Sequence, residues 1–187
     1  CWQADDVSGF ENPDGDLTGG IQVTGNYPGK ARNIEELRAD IEKVVSLLPG
    51  KHRLSLHAIY GDFGGEFVDR DKIEPKHFQS WIDWAKTTGI HLDFNSTFFY
   101  HPKTDSGYTL SDFDPEIRKF WKDHLRQCRL IGAEIGKQQG SPCVHNIWIP
   151  DGEKDKTVSR NEHRELLKES LDEVLAEKIS TEYLKDC

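Results

Sequence analysis

The residues of this sequence best placed to do chemistry are His57, Asp93, Asn95 and Asp151, with Trp2, Phe98 and Trp148 as aromatic surfaces near them in the chain pattern. His57 sits among Leu54, Leu56 and Ile59, and strand alternation puts it on the face opposite Leu54 and Leu56. A polar titratable group there is either a satisfied structural histidine or part of a site lining that face. The remaining histidines (52, 77, 91, 101, 124, 145 and 163) show no HxxxH or histidine–carboxylate spacing of a compact metal centre, so no metal ligand is assigned to this chain. Trp81, Trp84 and Trp121 fall on predicted helices, where packing accounts for them.

Those groups need a frame that brings them together, and hydrophobic period supplies it. Ile34, Leu37, Ile41, Val44, Val45 and Leu48 form a helical stripe, with Asn33 and Glu36 as a capping-box-like start and Gly50 as the stop. Pro75 to Thr88 reads as a second helix ending at Gly89. Asp114 caps a third, with Pro115 at its first position and a stripe from Ile117 to Ile135 running toward Gly140. A fourth begins near Ser159 and carries Leu166, Leu167, Leu171, Val174, Leu175 and Ile179.

Strand-like runs separate these helices at Arg53–Tyr60, Ile90–Asn95 and Cys143–Ile149. Strands alternating with long helices predict βαβ units and a parallel sheet. With Cys1–Trp2 as the end of a first strand, the chain holds four βα units, half of a (β/α)8 (TIM) barrel. Its tail then stops at Ser180–Tyr183, where a fifth strand is expected. An open doubly wound sheet has the same alternation, but no GxGxxG follows the first strand and no P-loop is present.

In βα barrels the active site forms at the C-terminal ends of the strands and in the loops beyond them. That rule selects Trp2, His57, Asp93, Asn95, Phe98, Trp148 and Asp151. It also selects the long loop 4–32 after the first strand, whose glycine pair, Phe10 and Tyr27 suit a segment that closes over a ligand.

Composition narrows the classes. The 187 residues carry a net charge of −9, which argues against a nucleic-acid footprint. No apolar run approaches the roughly 20 residues of a membrane span, and no secretory signal opens the chain. Cysteines at 1, 128, 143 and 187 are far apart and read as unpaired thiols of a reducing, cytoplasmic compartment. The absence of methionine and the abrupt start point to a fragment, a single incomplete barrel domain over 1–187.

Specific strings add a resemblance. The run Cys1 to Pro13 (CWQADDVSGFENP), Thr18–Ile21, Thr24–Asn33, Leu56–Tyr60, Leu92–Asn95, Asn146–Gly152 and Leu171–Val174 resemble bacterial L-rhamnose isomerase, collinearly over the whole chain, with Gly61–Asp69 matching least. The resemblance implies a (β/α)8-barrel homotetramer that interconverts L-rhamnose and L-rhamnulose. It implies two divalent metal ions, usually manganese (Mn2+), acting as Lewis acids and held by residues from later strands absent here. Carried onto this sequence, it implies a sugar pocket containing Trp2, His57, Phe98 and Trp148, with His57 hydrogen-bonding the sugar near its ring oxygen or first hydroxyl and the tryptophans as apolar walls. The fragment alone is expected to be inactive. Two other readings stand beside it: a non-catalytic half-barrel that binds sugar or protein, and a related metal-dependent barrel with another substrate.

Overall fold

A computed structural model describes residues 29, 31–152 and 161–187. Trp2, the expected strand at Cys1–Trp2 and nearly all of loop 4–32 lie outside the described residues. Four strands form one parallel sheet in chain order: β1 (Arg53–His57), β2 (His91–Asn95), β3 (Cys143–Asn146) and β4 (Leu184–Asp186). Four helices accompany them, α1 (Ile34–Leu47), α2 (Gln79–Thr88), α3 (Pro115–Gln139) and α4 (Asn161–Leu175). The α/β reading with strands alternating with helices therefore holds.

Helix starts follow their local chemistry. The Asn33 side chain accepts a hydrogen bond from Glu36 N at 2.9 Å, and the Glu36 carboxylate accepts one from Arg32 N at 2.7 Å, so two donors at the start of α1 are satisfied. Asp114 caps α3 through Glu116 N at 2.8 Å, and Pro115 occupies the first turn, where its missing N–H costs nothing. Gly140 ends α3 in the left-handed region, with φ of 69°.

Several boundaries differ from the expected ones: α1 ends at Leu47, before Leu48 and Gly50, β2 starts at His91, and α4 ends at Leu175, short of Ile179. β1 stops at His57 because Ala58–Tyr60 curls into one 3-10 turn, and β3 stops at Asn146 rather than running to Ile149. Residues Pro75–Phe78 make a 3-10 turn before α2 continues from Gln79. The tail does not stop short of a strand: Leu184–Asp186 is β4, paired with β3 through Cys143↔Leu184, Val144↔Lys185 and His145↔Asp186. Three residues with one apolar side chain give no alternation to read. Their pairing is fixed instead by Leu184 entering the core and by Asp186 meeting His145 and Arg129.

Alternation divides the sheet into two unlike faces. Leu54, Leu56, Leu92, Phe94, Cys143 and Leu184 point toward the helices and join a core with Leu37, Ile41, Phe78, Trp81, Ile82, Ile131 and Ile135. Burying each such large side chain stabilises the fold by about 1.5–3 kcal/mol. The opposite face presents Arg53, Ser55 and His57 on β1, Asp93 and Asn95 on β2, Asn146 on β3 and Lys185 on β4. The covered face is thus largely apolar, with His145 and Asp186 its polar members, and the other is largely polar, with Val144 on β3 its apolar one.

The helices follow one another side by side in the order of their strands. Trp84 Nε1 on α2 donates to Glu42 on α1 at 2.6 Å. The amides of Gln79 and Gln138 join α2 to α3 at 2.8 and 3.1 Å. Arg126 on α3 reaches Glu173 on α4 at 2.7 Å and Glu177 beyond it at 2.8 Å. A second apolar cluster, with Phe98, Leu110, Phe120, Trp121 and Leu125, seats Val174 of α4. Cys128, Cys143 and Cys187 are unpaired thiols, and among the described residues no helix is long and apolar enough to cross a membrane.

Candidate functional site

His57 closes β1 on the polar face and is almost fully buried. Its Nδ1 lies 3.1 Å from Thr97 Oγ1, in the segment that follows β2. Its ring meets Tyr60 and Phe99 edge-on, at centroid distances of 6.4 and 6.3 Å. Burial, with a smaller push from the nearby Arg70 guanidinium, lowers its pKa to about 4, so the ring is neutral at pH 7.

Asn95 lies beside His57 in the β1–β2 register and pairs on its other side with Asn146. Its side-chain oxygen accepts from Thr97 N at 2.9 Å. Asp93 belongs to a different arrangement nearer the start of the strands. It takes Arg53 through both carboxylate oxygens, at 2.6 and 2.8 Å, and accepts Val144 N at 2.8 Å. These contacts fasten β1, β2 and β3 together below the His57 level.

The two phenylalanines after β2 part company. Phe98 is fully buried on the helix side, 5.5 Å from the Trp121 ring and 5.4 Å from His124. Phe99 turns the other way, to His57 and to Trp148, whose ring crosses it edge-on at 5.0 Å. Trp148 is 45% exposed, so one side of this aromatic pair is open. The structure therefore brings His57 and Trp148 together through Phe99, and Phe98 stands behind them.

The segment that carries Trp148 is tied down at Asp151. That carboxylate accepts Ser111 N at 2.9 Å, Ser111 Oγ at 2.6 Å and the Thr109 hydroxyl. The loop after β3 is thereby clamped to the loop after β2, which fixes the aromatic pair.

A buried polar chain supports the site from the helix side. Arg129 Nε donates to Asp186 at 3.1 Å, and the other Asp186 oxygen takes His145 Nδ1 at 2.7 Å. His145 Nε2 lies 2.6 Å from Ser96 Oγ, and the Ser96 carbonyl meets His124 Nε2. His124 Nδ1 reaches the Arg70 carbonyl at 2.8 Å, and Arg70 Nη1 donates to the Thr97 carbonyl at 2.8 Å. Burial lowers the pKa of His145, against the pull of Asp186, which leaves a neutral ring beside an ionised carboxylate. Burial likewise pushes His124 down to about 3 although two carbonyls pull the other way, and pushes Cys128 up to about 12, which makes this thiol inert.

Thr97, Phe99 and Arg70 escaped the sequence reading. The adjacent pair Phe98–Phe99 signals an aromatic at the strand end but not which of the two faces the site. Nothing in the sequence around Thr97 or Arg70 marks either of them. The arrangement offers a neutral imidazole beside an apolar aromatic wall, at the C-terminal ends of parallel strands. That combination suits a small molecule with hydroxyls on one side and C–H groups on another. Among the described residues, no three His, Cys, Asp or Glu side chains converge so as to hold a metal ion.

Comparison with known proteins gives a consistent result. The family model for L-rhamnose isomerase (RhaA) matches residues 1–187. The chain is 59% identical over 189 residues to an L-rhamnose isomerase of Bacteroides thetaiotaomicron, covering 100% of this chain and 44% of the relative. It is 57% identical over 179 residues to an L-rhamnose isomerase of Escherichia coli O6:H1, covering 96% of this chain and 42% of that protein. The corresponding protein of Escherichia coli K12 is 56% identical over 180 residues, with 96% and 43% covered. The chain thus spans less than half the length of the curated relatives it matches.

Proposed function

The chain belongs to the L-rhamnose isomerase family, and on that premise we propose that it supplies the sugar-binding sector of a metal-dependent aldose–ketose isomerase interconverting L-rhamnose and L-rhamnulose. The observation that carries this reading is the meeting of neutral, buried His57 with Phe99 and half-open Trp148 at the C-terminal strand ends, where βα barrels place their sites.

The same reading makes 1–187 part of a (β/α)8-barrel domain. A doubly wound sheet has helices on both faces, whereas the described helices lie in strand order on one face and leave the other polar. This supports the barrel reading, in which the face carrying Arg53, Ser55, His57, Asp93 and Asn95 would line the lumen.

Within the pocket, neutral His57 hydrogen-bonds a sugar hydroxyl near the ring oxygen. Trp148 forms an apolar wall that Phe99 continues, and Trp2, outside the described residues, is the second wall that the resemblance implies, one of the two meeting the C6 methyl. Phe98 serves from behind, by packing on Trp121 and fixing the segment that presents Phe99. Manganese or another divalent ion, as the family resemblance implies, supplies Lewis-acid polarisation of the sugar oxygens. The described residues do not fit such an ion, so their part is to bind and orient the sugar and keep water from it. Assembly as a homotetramer and a cytoplasmic location complete the proposal.

The test is a His57→Asn change in the full-length enzyme, assayed for L-rhamnulose formation. A loss of about tenfold or more in kcat/KM is expected for one lost hydrogen bond to substrate. Unchanged turnover removes His57 from the site.

A further inference from the structure

Thr97 adopts φ of +55°, and so does Tyr100 three residues on. A β-branched residue is rarely found there, and the conformation persists only where its surroundings impose it. The surroundings are visible. Asn95 Oδ1 accepts Thr97 N at 2.9 Å, and Arg70 Nη1 donates to Thr97 O at 2.8 Å while its Nη2 reaches Tyr100 O at 3.4 Å. Arg70 is 1% exposed, on a 3-10 turn (Arg70–Lys72) whose first N–H is capped by Asp69 Oδ1 at 2.8 Å. An ordinary bend after β2 needs none of this, so the strain has another use.

The side chain shows what it is. Thr97 Oγ1 is fully buried and stands 3.1 Å from His57 Nδ1 and 3.3 Å from the Asn95 carbonyl. A hydroxyl has one proton and two lone pairs. If that proton went to His57 Nδ1, the hydroxyl could not also donate to the Asn95 carbonyl. Both contacts are made at once only if the hydroxyl donates to Asn95 O and His57 Nδ1–H donates to the hydroxyl.

We propose that Thr97 is a positioning residue for His57: held in its left-handed conformation by Arg70 and Asn95, its hydroxyl fixes the Nδ1–H tautomer, so that Nε2 carries the lone pair and accepts a hydrogen bond from a sugar hydroxyl. The proposal rests on the reading of His57 as a sugar contact. It gives the histidine a direction: it takes a hydroxyl proton into a hydrogen bond and does not offer one through Nε2. A neutral hydroxyl partner orients the ring without the charge that a carboxylate in that position would add.

The test uses the full-length enzyme with Thr97→Val, Thr97→Ser, His57→Asn and the Thr97→Val/His57→Asn pair. Thr97→Ser keeps the hydroxyl and should hold kcat/KM for L-rhamnose within about twofold, while Thr97→Val should lower it about tenfold, the worth of one hydrogen bond. In the His57→Asn background Thr97→Val should add no further loss. Equal losses in both backgrounds would mean a purely structural role and overturn the proposal. So would a harmless Thr97→Val beside a damaging His57→Asn. A harmless His57→Asn would instead overturn the placing of His57 in the site. Independently of any Thr97 variant, 15N spectra of imidazole-labelled enzyme, with His57 assigned by its loss in His57→Asn, should show the proton on Nδ1. A proton on Nε2 would contradict the tautomer assignment and the proposal with it.

Discussion

Asp186 accepts a hydrogen bond from His145 Nδ1 at 2.7 Å, and its second oxygen takes Arg129 Nε at 3.1 Å. One side chain thus joins the last strand to its neighbour and to the longest helix. Burial by itself would raise the Asp186 pKa, but His145 and Arg129 outweigh it and hold the carboxyl below its usual value. Arg129 also donates to the carbonyls of Val174 and Glu177, so the ion pair sits where α4 ends and β4 approaches. Replacing Asp186 with Ala removes the acceptor of the buried Arg129 Nε and His145 Nδ1 and the charge that offsets the guanidinium. The expected cost is about 2–4 kcal/mol, read by urea denaturation of the full-length protein; a loss within experimental error would show that β4 is held by its ladder and Leu184 without help from Asp186.

Two glycines of α3 should respond unequally to the same change. A Cβ at Gly136 would come 1.9 Å from the Tyr183 carbonyl oxygen, whereas one at Gly132 would meet the Leu184 Cδ1 methyl at 2.6 Å. Backbone cannot step aside as a side-chain end can. Gly136→Ala should therefore cost about 3 kcal/mol and Gly132→Ala about 1, each offset slightly by the better helix propensity of alanine. Thermal midpoints of the two variants check the order, and the reverse order would contradict the packing of β4 on α3.

Buried neutral histidines set an acid limit on stability. His57 is pushed down to about 4 in the fold, and His145 is lowered as well, with Asp186 and Arg129 beside it. The unfolded chain binds these protons near pH 6.5 and the folded chain does not. Their contribution is therefore complete above about pH 6.5 and is lost as the pH falls toward the folded values, by up to about 1.4 kcal/mol per pH unit for each group. The thermal midpoint should drop between pH 7 and 5, and a flat midpoint over that range would mean that neither histidine is held neutral.

The Asp151 clamp should act on binding before chemistry. Asp151→Ala removes the acceptor of Ser111 N, Ser111 Oγ and the Thr109 hydroxyl, and so frees the segment that presents Trp148. KM for L-rhamnose should rise about fivefold, equivalent to one weakened contact, with kcat little changed. A fall in kcat at constant KM would place Asp151 closer to the reacting atoms than the geometry does.

The sequence was most readable where one local rule decides the outcome. Asn33 and Asp114 cap the helices expected of them, Gly89 and Gly140 end theirs, and alternation alone put His57 opposite Leu54 and Leu56. What escaped depends on contacts distant in the chain. β4 is defined by Cys143 and His145 some forty residues earlier, not by its own pattern. Phe99 rather than Phe98 faces His57 because the chain reverses at Thr97, and that reversal is imposed by Arg70 from 27 residues away. A β-branched residue with positive φ carries no local signal, since local preference opposes it.

The most direct test of the central claim measures L-rhamnulose formation from L-rhamnose, with and without Mn2+, by two polypeptides: these 187 residues alone, and the same sequence continued to the length of its relatives. The account predicts metal-dependent turnover by the longer polypeptide and none by the 187 residues, whose described part brings no three possible metal ligands together. Metal-dependent turnover by the 187 residues alone, or none by the longer polypeptide, would contradict it.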